Sequence, residues 1–256
     1  MTEVPEYLSP SSIATWRSCP MKFKFSRIDR ILEPPSWATH VGTFVHEVLE
    51  HFYQLDSSER TIETIRSLAG ERWRVSDWET QVNELEKLTG SIRDFKAQSL
   101  DCLVNLWKVE NPQETELDGM EHEVWAAIDG VQMKGFIDRF IFDDEGRLII
   151  GDYKTGKIPN PKFTNEDEKF FQLLVYALML QEADQEETAK VQLLYLQHAT
   201  VHEVAVTPVK LSTARDVIVR TKEGVEASCA SEKFECNVTR LCDWCHYQSI
   251  CPAHQK

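Results

Sequence analysis

GFIDRFIFDDEGRLIIGDYKTG, residues 135–156, is the stretch from which the rest of the chain is read. Residues 135–142 alternate, with Phe136, Asp138 and Phe140 on one face and Ile137, Arg139 and Ile141 on the other, the period of a β-strand. Asp143-Asp144-Glu145-Gly146 supplies turn residues. Residues 147–154 run apolar through Leu148, Ile149 and Ile150 and then turn polar at Asp152-Tyr153-Lys154, so chemistry is concentrated at one strand end. Asp152 and Lys154 are two apart, and both side chains leave the same face.

Two aspartates and a lysine suit phosphodiester hydrolysis. Carboxylates hold a hard cation such as Mg²⁺ or Mn²⁺, which lowers the pKa of the attacking water and neutralises phosphoryl charge. A lysine beside them can pair with the phosphate or stabilise charge as the bond breaks. An isolated D-x-K is ordinarily a solvated strand edge. The weight of this one comes from its surroundings.

Working outward, 256 residues with 42% apolar content can bury a real core. Residues 1–12 lack the basic and apolar regions of a secretory signal, and no run reaches the ~18 apolar residues of a membrane span. Seven cysteines, an odd count with no export signal, argue for reduced thiols or metal ligands over a disulfide framework. The expectation is a cytoplasmic protein, bacterial, archaeal or phage-encoded, with no membrane contact. The net charge of −14 counts against broad phosphate binding. Locally, Arg17, Lys22, Lys24, Arg27 and Arg30, interleaved with Phe23 and Phe25, form a basic strip that suits DNA or a basic surface over the core.

Ser9-Pro10 marks a helix start, ending near Cys19-Pro20. Val41, Phe44, Val45, Val48, Leu49 and Phe52 make a continuous helical stripe with His46 at its flank. Residues 56–112, charged and rich in tryptophan, read as a helical insertion, a cap over a groove. Residues 121–128 form a strand preceding the one that bears Asp138, giving a three-stranded antiparallel meander. A mostly apolar helix over 168–182 puts Gln172 and Tyr176 on one stripe. Strands over 191–197 and 202–207 follow, then a helix over 211–227 capped by Ser212 or Thr213. The class is α/β with a mixed sheet.

Cys242-x2-Cys245-x5-Cys251 is three thiols, one short of a tetrahedral set, and Cys19, also beside a proline, is the candidate fourth. Zinc and iron–sulfur both fit this spacing, with His246 or His254 as alternative ligands. Cys102, Cys229 and Cys236 lack such spacing and read as core or surface residues.

Together, Gly42-x3-His46, Gly135-x2-Asp138, Gly151-Asp152-Tyr153-Lys154-Thr155-Gly156, Gln172-x3-Tyr176 and the split cysteines resemble the RecB-like branch of the PD-(D/E)xK nucleases. More narrowly the chain resembles its iron–sulfur members, which include CRISPR-associated adaptation nucleases, AddAB-type nuclease domains and stand-alone phage or bacterial exonucleases. The resemblance runs from Ser9 to Pro252. It implies a restriction-endonuclease-like core in one domain: an N-terminal segment (1–35), the helical insertion (56–112), a nuclease core (120–208) and a C-terminal cluster segment (236–256).

The resemblance also implies roles. His46, Asp138, Asp152 and the Tyr153 carbonyl would hold Mg²⁺ or Mn²⁺, and Lys154 would be the catalytic lysine. Gln172 and Tyr176 would lie beside the site, and Cys19, Cys242, Cys245 and Cys251 would hold a [4Fe–4S] cluster. The expected activity is a deoxyribonuclease, an exonuclease on single strands or DNA ends, with recombination, repair or CRISPR adaptation proteins as partners and oligomerisation left open. A catalytically idle DNA-binding subunit and a zinc-stabilised interaction module are the alternatives. Glu121 and Glu123 both sit where relatives carry an acidic residue, and the sequence does not choose between them. No G-x4-GK[ST] loop is present, so a motor would have to come from a partner.

Overall fold

A capping box opens α1 (Pro10–Ser18). The Ser9 hydroxyl accepts from the Ser12 amide, the Ser12 hydroxyl accepts from the Ser9 amide, and Pro10 fills a first-turn position that needs no N–H. The structure is a computed structural model describing residues 2–85, 89–162 and 164–255. Cys19, in extended backbone, separates α1 from α2 (Pro20–Phe23), which widens into a π turn at Lys24–Ile28. The basic strip is therefore helical.

α3 (Trp37–Tyr53) is capped by Ser36 and Thr39 in the same reciprocal way. Its stripe of Val41, Phe44, Val45, Val48, Leu49 and Phe52 is buried as the spacing predicts. Each such side chain contributes about 1.5–3 kcal/mol relative to exposure, so the stripe fixes which face of α3 turns inward and leaves His46 at its edge. The expected helical insertion contains α4 (Ile62–Val75), α5 (Trp78–Asn83) and α6 (Ile92–Val109). Residues 86–88 of it lie outside the described residues. Trp73, Trp78 and Phe95 pack around Phe44, joining these helices to α3 in one core.

Five strands form one mixed sheet in the order β1-β2-β3-β4-β5. β1 (Gly119–Ile128), β2 (Val131–Phe142) and β3 (Leu148–Lys154) are the predicted antiparallel meander. After α7 (Glu166–Asp184), β4 (Thr188–Tyr195) pairs parallel to β3, and β5 (Thr200–Ala205) closes antiparallel to β4. The final helix, α8 (Pro208–Ser231), starts three residues earlier than expected. Thr207 caps it and Pro208 fills its first turn, the same signal as Ser9-Pro10, so the Ser212 or Thr213 cap is replaced.

The sheet divides two cores. Leu148, Ile150, Val191 and Leu193 face α7, α8 and α1, whereas Tyr153, Leu194 and Leu196 face α3 to α6. α7 is buried almost continuously from Phe170 to Leu180 because it lies between the sheet and α8. Among the described residues no helix is long and apolar enough to cross a membrane.

Candidate active site

Three elements bring His46, Asp138 and Asp152 together. α3 supplies the histidine from its flank, and β2 and β3 supply the aspartates. One ligand atom from each lies within 4.8 Å of the others. The His46 Nε2–H donates to the Tyr153 carbonyl oxygen at 2.8 Å, since a carbonyl can only accept. Nδ1 then faces Asp138 Oδ2 at 3.5 Å and Glu121 Oε1 at 3.6 Å. The expected Tyr153 carbonyl is thus within the cluster, here accepting from His46.

Asp152 is only 2% exposed, because β3 carries it on the face of Leu148 and Ile150. Lys154, two residues on, forms an ion pair with it and remains partly exposed. One buried carboxylate oxygen of each aspartate is held by charge and not by an aligned hydrogen bond: Asp138 Oδ2 faces the His46 imidazole and Asp152 Oδ2 pairs with Lys154. Burial, then the nearby Asp152 charge, raises the Asp138 carboxyl to about 8. Burial alone would lower His46, but Glu121, Asp138 and Asp152 outweigh it and raise the imidazole to about 9. Two crowded carboxylates, an imidazole and a carbonyl oxygen make a donor set that a hard divalent cation would satisfy. A cavity of about 440 Å³ opens onto the cluster, lined by Gly42, Thr43, His46, Glu47, Glu50, Glu121 and Asp138.

Glu121 and Glu123 are separated by the structure. Glu121 has left-handed backbone, φ 47°, and interrupts an otherwise continuous β1–β2 register opposite Asp138. It faces His46, while Glu123 accepts from the Trp125 indole and pairs with Lys134. Gln172 donates its amide N–H to the Tyr176 hydroxyl at 3.1 Å, and the Tyr176 ring occupies the space that a Cβ on Gly135 would enter, 2.4 Å from Cε1. That close approach explains a glycine three residues before Asp138.

Behind the aspartates lies a polar network absent from the sequence reading. Arg139, 3% exposed, donates to Glu110 and to the Tyr153 hydroxyl, and the Tyr153 and Tyr53 hydroxyls donate to Glu110. It ties the end of α3, the end of α6, β2 and β3 to one carboxylate. Nothing in the local spacing of Glu110 marks it, since its partners come from three distant segments.

The basic strip is largely engaged within the protein. Arg17 pairs with Glu168, Lys22 with Glu33 and Lys24 with Asp29. Arg27 donates to Ser11, and Arg27 and Arg30 line a separate cavity of about 310 Å³.

Cys19, Cys242, Cys245 and Cys251 line one cavity of about 270 Å³, and Cys236 lines it with them. Cys236 Sγ is 3.7 Å from Cys251 Sγ. Its expected assignment as an unrelated core or surface residue is corrected: the Met21 amide donates to the Glu235 carbonyl, which lays the chain before Cys236 against α2. Cys102 and Cys229 are buried in the cores, as expected. Amides of Asn237 and Thr239 point at the sulfurs of Cys19 and Cys242.

The sequence profile of the PD-(D/E)XK nuclease superfamily matches residues 7–252. The chain belongs to that superfamily. PD-(D/E)XK membership makes it a nuclease, and His46, Asp138 and Asp152 form a group that could hold a metal ion. It is similar to the Gene 69 protein of Mycobacterium phage D29, 25% identical over 195 residues, covering 66% of this chain and 67% of that one. The Gene 69 protein of Mycobacterium phage L5 is 25% identical over 209 residues, covering 66% and 69%. Among solved structures, a Eubacterium rectale protein provisionally named an exonuclease superposes with a TM-score of 0.51 at 14% identity, covering 94% of this chain and 93% of that one.

Proposed function

We propose that the chain is a Mg²⁺- or Mn²⁺-dependent deoxyribonuclease acting as an exonuclease on single-stranded DNA or DNA ends. The gathering of His46, Asp138 and Asp152 within 4.8 Å beside Lys154 carries this reading. With the Tyr153 carbonyl they would hold the cation. When bound, the cation neutralises phosphate charge and lowers the pKa of the attacking water. Lys154 is exposed enough to leave Asp152 and pair with the phosphate, where its charge stabilises the developing negative oxygens. Gln172 and Tyr176 hold β2, and through it Asp138, at the required position. Glu121 orients His46.

The cysteine cavity belongs to the same reading. Cys19, Cys242, Cys245 and Cys251 would hold a [4Fe–4S] cluster that fastens the C-terminal segment to α1 and α2, placing the chain in the iron–sulfur branch. A recombination, repair or CRISPR adaptation complex would supply any motor.

The test is cleavage of single-stranded and duplex DNA labelled separately at each end, by anaerobically purified protein, with Mg²⁺, Mn²⁺ or chelator. Cleavage that requires metal and is lost in Lys154→Ala is expected, with label release giving polarity. Protein with a full cluster that cuts nothing would overturn the assignment.

A further inference from the structure

The geometry points to a track for one DNA strand that leaves the active site over Phe136, Trp125 and Tyr7 and ends at Arg27 and Arg30. The inference rests on the nuclease reading above and names the surface that would hold its substrate.

β2 buries Val131, Met133 and Ile137 against one core, which leaves Lys134 and Phe136 on the other face, and the strand runs on from Phe136 to Asp138. In the register, Trp125 lies opposite Lys134 and Glu123 opposite Phe136. Phe136 is therefore ~7 Å along the strand from Asp138, and Lys134 with Trp125 ~13 Å. Tyr7 extends the row: the Leu8 amide donates to Gln132 and the Leu8 carbonyl accepts from Lys134, which fixes Tyr7 edge-on to Trp125 at 5.2 Å. Three large rings, 46%, 46% and 39% exposed, thus cluster around Lys134 on one face, and none belongs to either core.

The rings are held in place. Lys134 Nζ sits 4.8 Å from the Trp125 ring centre and 5.3 Å from that of Phe136, and Glu123 fixes both Lys134 and the Trp125 indole N–H. Lys134 thus covers part of the rings, and their remaining exposed aromatic surface, with no unpaired charge of Lys134, is what meets a ligand. Base stacking on aromatic faces is the contact such a row makes, and it is indifferent to sequence. Beyond Tyr7 the row opens into the cavity lined by Arg27 and Arg30, where phosphates can be met. Continuity with Asp138 identifies the occupant, since a strand with one phosphate at the metal cluster must run along an adjoining surface. A duplex keeps its bases stacked on each other, so a single strand fits.

This also resolves how an acidic protein could hold DNA. Most cations of the basic strip are paired internally, so stacking would carry the affinity and salt would weaken it little. Two phosphate contacts correspond to a loss of roughly sevenfold between 50 and 200 mM salt, against thousands for a protein with many contacts.

Binding of a labelled oligothymidylate is measured by anisotropy in chelator for the full chain, Trp125→Ala, Phe136→Ala, and the ring-preserving Trp125→Phe and Phe136→Tyr, with KM and kcat on the same strand in Mg²⁺ or Mn²⁺. Each alanine variant is expected to weaken binding roughly fivefold to a hundredfold and to raise KM more than it lowers kcat, while ring-preserving variants stay within about twofold and the salt dependence stays shallow. Alanine variants that bind and cleave like the wild type, or a steep salt slope that they share with it, would overturn the track while leaving the nuclease intact. A wild type that cleaves no DNA with either metal would instead defeat the nuclease reading.

Discussion

His46 Nε2 and the Tyr153 carbonyl oxygen, 107 residues apart in sequence, are joined at 2.8 Å. This one bond sets the ring orientation that turns Nδ1 toward Asp138 and Glu121, so α3 is aligned to β3 by the same residue that would bind the cation. His46→Ala should lower cleavage at least ~100-fold, as removal of a single electrostatic group does elsewhere. Steady-state rates across a Mn²⁺ titration check this, and a rate restored at high Mn²⁺ would place the loss in metal binding.

Metal stabilisation should grow with pH. Asp138 is raised from 3.8 to about 8 and His46 from 6.5 to about 9. A raised folded-state pKa contributes stability below the unfolded value and loses it as pH rises through the folded value. Metal-free protein therefore weakens from neutral pH to pH 9. The cation binds ionised Asp138 and neutral His46, so the Tm gain from Mg²⁺ over chelator should be larger at pH 9 than at pH 6. A gain that shrinks with pH would show that protons do not compete for these ligands.

Glu121 combines strain with function. Left-handed backbone at a residue with a side chain costs of order 1–2 kcal/mol, and glycine escapes it. Glu121→Gly should therefore be more stable than Glu121→Ala by about 1 kcal/mol in urea unfolding. Both should need more metal for half-maximal cleavage than the wild type, because each removes one of the two carboxylates that face His46 Nδ1.

Gly135→Ala tests the contact with Tyr176. The added methyl would lie 2.4 Å from the ring, and overpacking of this kind typically costs about 1–3 kcal/mol. Activity should fall more than stability, since the displaced ring moves β2 at Asp138. Combining it with Tyr176→Ala should recover part of the lost activity if the clash is the cause.

Glu110→Gln keeps the shape of the network and removes its charge. Breaking a buried ion pair on one side costs about 3–5 kcal/mol, and Arg139 would be left buried without its carboxylate. A large drop in thermal stability is expected, with metal affinity measured separately in the folded fraction.

Much of this was legible along the chain because its signals are local. The stripe from Val41 to Phe52 and the Ser9-Pro10 cap each depend on neighbours within a turn, and each formed as read. The strand over 135–142 also formed, but its alternation breaks at Asp138, so Arg139 reaches Tyr153 and Glu110 while Ile137 and Phe140 lie in the other core. The gathering of His46 with Asp138 and Asp152 followed from a resemblance between ordered motifs; no spacing could supply it. What escaped depends on pairing between distant segments. Glu121 and Glu123 are equivalent by alternation until the backbone at Glu121 turns left-handed. Glu110 looks like any acidic residue after a helix until Arg139 and Tyr153 reach it, and Cys236 joins the other thiols only because Met21 pairs with Glu235.

The lock between the chain ends governs when the molecule can become whole. Asn237 reaches Cys19 and Ser18, and Tyr247 reaches Ile31, across 218, 219 and 216 residues. Contacts of that separation close late, after the hairpins and helices that need only local loops. On the ribosome, α1 and α2 emerge early and wait, and the thiol cavity has no walls until Cys251 is made. Synthesis order thus keeps the cavity incomplete until Cys251 has been made, so any assembly inside it follows the synthesis of the sheet and its helices.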